Sequence, residues 1–333
     1  MYNKFDNKNL VLVTGGAGFI GYFLSKRLLD NGAKVIGFDN LNDYYDVNLK
    51  KCRVEILRKY PNYEFVKGDL ADRQTLESVF IKKKPDIVVN LGAQAGVRYS
   101  IDHPDTYIQS NLVGFFNILE CCRDYPVVHL VYASSSSVYG ANVKVPFSVE
   151  DKTDCPVSLY AATKKSNELM AYCYSKLYDI AATGLRFFTV YGPMGRPDMA
   201  YFSFTHKIIN NEPIEVFNNG NMYRDFTYVE DIITGIERLL CNPPKKDVHG
   251  VCHKVYNIGN NQPVKLMEFI ETLEELLGKK AIKEFYPMQP GDVYQTYADV
   301  NDLVKDFDFK PSTSIREGLS EFVNWYKQYF SIN

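Results

Sequence analysis

One junction limits the fold of this chain more than any other feature. A short apolar run, Leu10 to Thr14, passes through Gly15-Gly16-Ala17-Gly18-Phe19-Ile20-Gly21 into a helical pattern, Phe19 to Asp30. The glycines at 15, 18 and 21 recur at every third residue. Glycine allows a tight turn and lets a bound group approach the backbone closely. The helix that opens there turns unpaired N–H groups and partial positive charge toward the turn, which suits a pyrophosphate. Strand, glycines and helix together predict a dinucleotide site at Gly15, Gly18 and Gly21.

The alternation continues. Val35–Phe38, Glu64–Lys67, Asp86–Leu91, Val127–Ala133 and Ile180–Phe188 read as strands. Helical segments lie around Gln74–Lys82, Thr106–Arg123 and Tyr160–Lys176. Strands alternating with helices predict βαβ units and an α/β fold with a doubly wound parallel sheet. After about Tyr191 the pattern loosens into Pro-, Gly- and Asn-rich segments with short helices, such as Leu266–Leu277 and Ile315–Tyr329. Val255–Ile258 reads as a strand that could return to the first sheet. The expected division is a dinucleotide-binding domain over 1–190, with return segments near 228–260, and a smaller interleaved lobe over 191–333.

A length of 333 residues with 46% hydrophobic content is ample for a sizeable core. The net charge of -2 and the lack of a basic block give no support to a nucleic-acid or membrane-surface partner. No apolar run approaches the ~20 residues of a membrane helix. The seven cysteines are scattered without a CxxC spacing, so no metal site is expected and a cytoplasmic location is.

Asp39 ends the second strand ~20 residues beyond the glycines, where a carboxylate accepts hydrogen bonds from the ribose hydroxyls of NAD. It would repel the 2′-phosphate of NADP, so NAD is the expected cofactor. Asp69 and Leu70 end the third strand and could flank adenine; Asp69 could equally cap a helix. Tyr160 and Lys164 stand four apart on a helix and share a face. A nearby ammonium lowers a tyrosine pKa, which makes a phenolate general base plausible. Upstream, Ser134-Ser135-Ser136-Ser137-Val138-Tyr139-Gly140 follows the fifth strand. Its hydroxyls would sit at the carboxyl end of the sheet, where open α/β folds bind ligands.

The glycine motif, the serine run with Val138-Tyr139-Gly140, and Tyr160-x-x-x-Lys164, in this order, resemble the extended short-chain dehydrogenases/reductases, which have a Rossmann-like fold. The resemblance covers nearly the whole chain. Tyr223-Arg224-Asp225-Phe226-Thr227-Tyr228-Val229-Glu230-Asp231 resembles the nucleotide-sugar signature of that family, and Tyr256-Asn257-Ile258-Gly259 the strand after it. Ala93 to Ser100, Arg186 to Pro193 and Gly195 to Ala200 are similar to UDP-glucuronate 4-epimerases.

The resemblance implies an NAD-dependent nucleotide-sugar 4-epimerase, with Phe19, Ile20, Asn40, Leu91 and Ala93 also at the cofactor. Tyr160 would take the proton of the sugar 4-hydroxyl, and Ser135 would hold the same oxygen. Lys164 would bind the nicotinamide ribose, and Ser136 and Ser137 would line the sugar pocket. Galactose-type members carry Asn where this chain has Thr189, so Thr189 and Arg196 would together hold a C6 carboxylate. Arg224 would bind the diphosphate, Val216 and Phe217 would face uracil, and Asp292 would reach the uridine ribose. The chain has Gln289 where many members have Arg, which removes one phosphate contact. The resemblance also implies a homodimer through helices that include Thr106–Arg123 and Tyr160–Lys176.

Other functions within this frame are a UDP-glucose or UDP-N-acetylglucosamine 4-epimerase, a dehydratase or decarboxylase, and a non-catalytic NAD-binding protein. Dehydratases and decarboxylases carry an acid just after the active Ser/Thr, whereas Ser136, Ser137 and Val138 follow Ser135 here.

Overall fold

A computed structural model describes residues 5–288 and 294–332. The first half builds β1 (Leu10–Thr14), α1 (Phe19–Asp30), β2 (Lys34–Asp39), α2 (Val47–Leu57), β3 (Tyr63–Lys67), α3 (Arg73–Lys83) and β4 (Ile87–Asn90). Short helices α4 (Tyr99–Asp102) and α5 (Pro104–Tyr107) follow. A π-helical stretch, Ile108–Val113, then leads into α6 (Gly114–Asp124). The single helix expected over Thr106–Arg123 is thus interrupted by a π-turn, and Asn111 within it bonds Gln94 rather than solvent. After it come β5 (His129–Ser135), α7 (Leu159–Tyr178), β6 (Ala182–Phe187), β7 (Thr189–Tyr191), α8 (Ala200–Ile209), β8 (Pro213–Val216), β9 (Tyr223–Tyr228) and α9 (Val229–Leu240). The chain continues through β10 (His253–Ile258), β11 (Pro263–Lys265), α10 (Leu266–Leu277), β12 (Ile282–Phe285), α11 (Asn301–Phe307) and α12 (Ile315–Tyr329).

Seven strands form one parallel sheet in the order β10-β6-β5-β4-β1-β2-β3. Its strands are apolar on both faces because helices cover both. Val11, Val13, Val89 and Val131 pack on the face that holds α1, whereas Leu12, Val88 and Leu130 pack on the other. The strand order reverses between β1 and β4. At such a switch point the loops diverge and leave a crevice at the carboxyl ends of the strands. β10 joins the sheet beside β6, and α9 lies against α1.

A second core carries Tyr201, Ile214, Val216, Phe269 and Phe322, under the sheets β11-β9-β7 and β12-β8. Three-residue strands such as β7 and β11 are too short to show periodicity in the sequence. Among the described residues, no helix is long and apolar enough to cross a membrane.

Candidate active site

A cleft opens over the switch point. Three glycines build its floor. Gly15 has φ +65, and a Cβ there would sit 2.8 Å from the Gly92 nitrogen. A Cβ on Gly21 would lie 2.1 Å from the Gly15 carbonyl oxygen, so helix α1 can enter the turn only with glycine at that position. The first turn of α1 thereby faces the cleft through backbone.

Asp39, at the end of β2, lines the same cleft with Asn40, Asp69 and Leu70. Its carboxylate accepts from the Leu41 and Ala17 N–H groups at 2.8 and 3.2 Å. Burial pushes the Asp39 pKa upward, opposed by those N–H groups and by the charges of Lys50 and Arg53. Asp69 accepts from the Asn40 side chain at 2.9 Å and from the Ala71 N–H at 2.8 Å.

Ser158 caps α7 by accepting from the Ala161 N–H at 3.1 Å, which fixes Tyr160 in the first turn. Tyr160, Lys164 and Glu168 then follow at four-residue intervals. Tyr160 and Lys164 line the cleft, whereas Glu168 is buried behind it. Ser135 ends β5 and also lines the cleft; its hydroxyl accepts from Ser137 Oγ at 2.9 Å. Its neighbour Ser134 also borders the cleft and donates to Glu168 at 2.6 Å.

Burial raises the Tyr160 pKa, with a hydrogen bond to Ser135 and the charge of Arg196 opposing the rise. Lys164 is not among the groups that oppose the rise. Lys164 donates to the Ala133 carbonyl at 2.8 Å, and burial lowers its pKa to about 8. It is a weakened cation anchored to the sheet, and Ser135 and Arg196 are the groups that favour the phenolate.

Arg196 reaches the cleft from the segment after β7. Its Nε and Nη2 bond the Asp198 carboxylate at 3.0 and 2.5 Å, and Tyr44 Oη donates to the same carboxylate at 3.1 Å. Its side chain is 24% exposed. The Asp198 carboxyl is raised by burial but more than offset by the Arg196 charge, so it lies below its ordinary range.

Ser136, Ser137, Thr189, Val216, Phe217 and Arg224 do not line this cleft. Thr189 stands between Phe188 and Val190, which do. Val216, Phe217 and Arg224 lie on the second lobe around β8 and β9. Val216 is buried, and its carbonyl accepts from the Tyr286 N–H at 3.0 Å. The Phe217 ring lies 5.1 Å from the Arg98 guanidinium, and Arg224 donates to the Tyr223 carbonyl at 2.9 Å. Asp292 lies outside the described residues. Tyr44 and Lys50 line the cleft without having been singled out in the sequence, and Gln94 and Met199 line it from the stretches Ala93–Ser100 and Gly195–Ala200. Lys50 follows the buried Leu49, three residues before Arg53 in α2, a spacing that could have marked them as one inward face.

Residues 12–322 match the model of the family described as GDP-mannose 4,6 dehydratase. The chain belongs to that family, among the extended short-chain dehydrogenases/reductases. Protein CapI of Staphylococcus aureus is 56% identical to it over 331 residues, 96% of this chain and 99% of that protein. A probable UDP-glucuronate 4-epimerase of Rhizobium meliloti (strain 1021) is 46% identical over 331 residues, 96% of this chain and 97% of that one. The crystal structure of UDP-glucuronic acid 4-epimerase from Bacillus cereus, in complex with UDP-glucuronic acid and NAD, matches at a TM-score of 0.88 with 32% identity. That match covers 96% of this chain and 99% of the other. For a short-chain dehydrogenase/reductase, the glycine cradle and the strand-end Asp39 have the shape and donor set that NAD requires.

Proposed function

We propose that this short-chain dehydrogenase/reductase is an NAD-dependent UDP-glucuronate 4-epimerase, interconverting UDP-glucuronate and UDP-galacturonate through a transient 4-keto sugar. The observation that carries the substrate is Arg196, a cation that lines one cleft with Tyr160, Lys164 and Ser135 while its Nε and Nη2 bond Asp198. The chain's similarity to UDP-glucuronate 4-epimerases over its whole length supports the same reading.

Gly15, Gly18 and Gly21 would present backbone to the pyrophosphate of NAD, with Asp39 on the adenosine ribose and Lys164 on the nicotinamide ribose. When bound, NAD supplies the acceptor and donor for the hydrogen at sugar C4. Tyr160 takes the proton of the 4-hydroxyl as that hydrogen leaves, and returns it when the sugar is reduced. Ser135 holds the 4-oxygen through both halves. The 4-keto sugar turns over in between, so the hydrogen returns to its opposite face. Arg196 pairs with the C6 carboxylate, which keeps the keto acid from leaving. No acid follows Ser135, so nothing beside it is placed to expel a C6 group, which argues against a dehydratase.

The nucleotide would be held mainly by 191–333, through Phe217 and Arg224, and the dinucleotide by 1–190 with the 228–260 return. We also propose a homodimer through α6 and α7, which expose Phe116, Leu169 and Tyr172 at 39%, 58% and 42%. A cytoplasmic location is supported by seven unpaired cysteines.

The substrate assignment is tested by kcat/KM for UDP-glucuronate and UDP-glucose in wild type and Arg196→Ala. Loss of a charge-assisted bond predicts a roughly 10- to 150-fold fall for UDP-glucuronate and a much smaller one for UDP-glucose. An equal fall for both would move the assignment to a neutral hexose.

A further inference from the structure

Arg53 is fully buried, although it lies outside the cleft. One arm of its guanidinium, Nη1, donates to the Ala17 carbonyl at 2.9 Å and to Tyr45 Oη at 2.8 Å. The other, Nη2, donates to the Met194 and Gly195 carbonyls at 2.5 and 3.2 Å. Burying a guanidinium costs several kcal/mol unless its donors are satisfied, yet Nε has no partner among the described residues. A chain that only needed to fill this space could do so with a methionine or leucine. The arrangement makes sense when judged by what the two arms join.

Ala17 belongs to the glycine turn, and its N–H donates to Asp39. Its peptide groups therefore link Asp39 on one side to Arg53 on the other. Met194 and Gly195 immediately precede Arg196. Met194 has φ +52, a left-handed conformation that costs a non-glycine residue energy unless its surroundings hold it. A Cβ on Gly195 would lie 1.9 Å from the Tyr201 hydroxyl, and that hydroxyl accepts from the Arg196 N–H at 3.1 Å. The backbone entering Arg196 is thus clamped by Arg53 through two carbonyls and by Tyr201 through one N–H.

We propose that Arg53 is a positioning residue that ties the dinucleotide turn to the segment carrying Arg196, so that cofactor binding and carboxylate recognition are coupled. This rests on the role given to Arg196 above. A planar fork can serve carbonyls on both sides at once, which an ammonium cannot. The link runs through two hydrogen-bonded peptide segments and bypasses the lobe around Phe217 and Arg224, so UDP binding is separate from it.

The test is a double-mutant cycle of Arg53→Met and Arg196→Ala, read as KM for UDP-glucuronate, with calorimetric affinities for NAD and for UDP. Alone, Arg53→Met should raise that KM roughly 10- to 100-fold and weaken NAD several-fold, with UDP affinity unchanged. In the Arg196→Ala background the same change should move KM less than about threefold, because coupled residues are non-additive. Arg53→Lys should fall between wild type and Arg53→Met, and carries the same cycle where Arg53→Met does not fold. Fully additive effects, or a loss of UDP affinity in step with NAD, would overturn the proposal. If Arg196→Ala alone leaves the UDP-glucuronate preference intact, the carboxylate assignment fails instead.

Discussion

The Glu168 carboxylate accepts from Arg186 Nε at 2.8 Å and from Nη2 at 2.9 Å, with both side chains only 4% exposed. It also accepts the Ser134 hydroxyl. Glu168 therefore joins α7, which carries Tyr160 and Lys164, to β6 through the ion pair and to the end of β5, which carries Ser135, through Ser134.

Glu168→Gln keeps the volume but strands the Arg186 charge, and breaking a buried pair from one side costs about 3–5 kcal/mol. Urea unfolding should show a loss of that order. Burial alone would raise the Glu168 pKa, but Arg186 and Ser134 outweigh it and hold it low. The pair's stabilisation is therefore complete above the unfolded glutamate value, about 4.3, and is lost as pH falls through the lower folded value. Wild type should lose stability across that acid window, and Glu168→Gln should lose less; parallel pH profiles would contradict this.

Tyr160→Phe should keep its fold and NAD affinity and lose turnover by ~100-fold or more, the usual scale of a positioned acid/base. Steady-state rates close to wild type would remove Tyr160 from the mechanism.

How much of this was legible in the sequence depends on spacing. The turn at Gly15, Asp39 and the Tyr160–Lys164 pair lie in regular elements, where one residue's position fixes the next. The two-stranded sheet of β8 and β12 was not legible, because its strands lie far apart in the chain and each has only four residues. The setting of Tyr160 was not legible for a related reason. Sequence places Lys164 one turn away, but only the fold shows Lys164 bonded to the Ala133 carbonyl and Tyr160 partly buried beside Ser135. Arg53 was missed because three of its four acceptors are backbone carbonyls, which no side-chain motif encodes.

Asp39→Ala removes the carboxylate from the end of β2 and leaves Lys50, which is only 5% exposed, without it. NAD affinity should fall roughly 10- to 100-fold with the loss of charge-assisted bonds. NADP, repelled by the wild type, should then bind comparably to NAD. Calorimetry on cofactor-stripped protein checks both, and equal NAD and NADP affinities in wild type would refute the role of Asp39.

Arg196 lowers the Tyr160 pKa through its charge, against the larger effect of burial. Removing that charge raises the pKa further, so Arg196→Ala should shift the acid limb of the kcat profile to higher pH. UDP-glucose, which has no carboxylate, is the substrate for this measurement. An unmoved limb would mean that Arg196 and Tyr160 do not interact in the working enzyme.

The most direct test is to incubate the protein with UDP-glucuronate and NAD and follow the sugar by proton NMR. The epimerase reading predicts UDP-galacturonate approaching a fixed ratio with UDP-glucuronate from either direction, with no carbon dioxide released and no net NADH formed. Release of carbon dioxide with a pentose product, NADH accumulating with turnover, or epimerisation of UDP-glucose while UDP-glucuronate stays unchanged would contradict it.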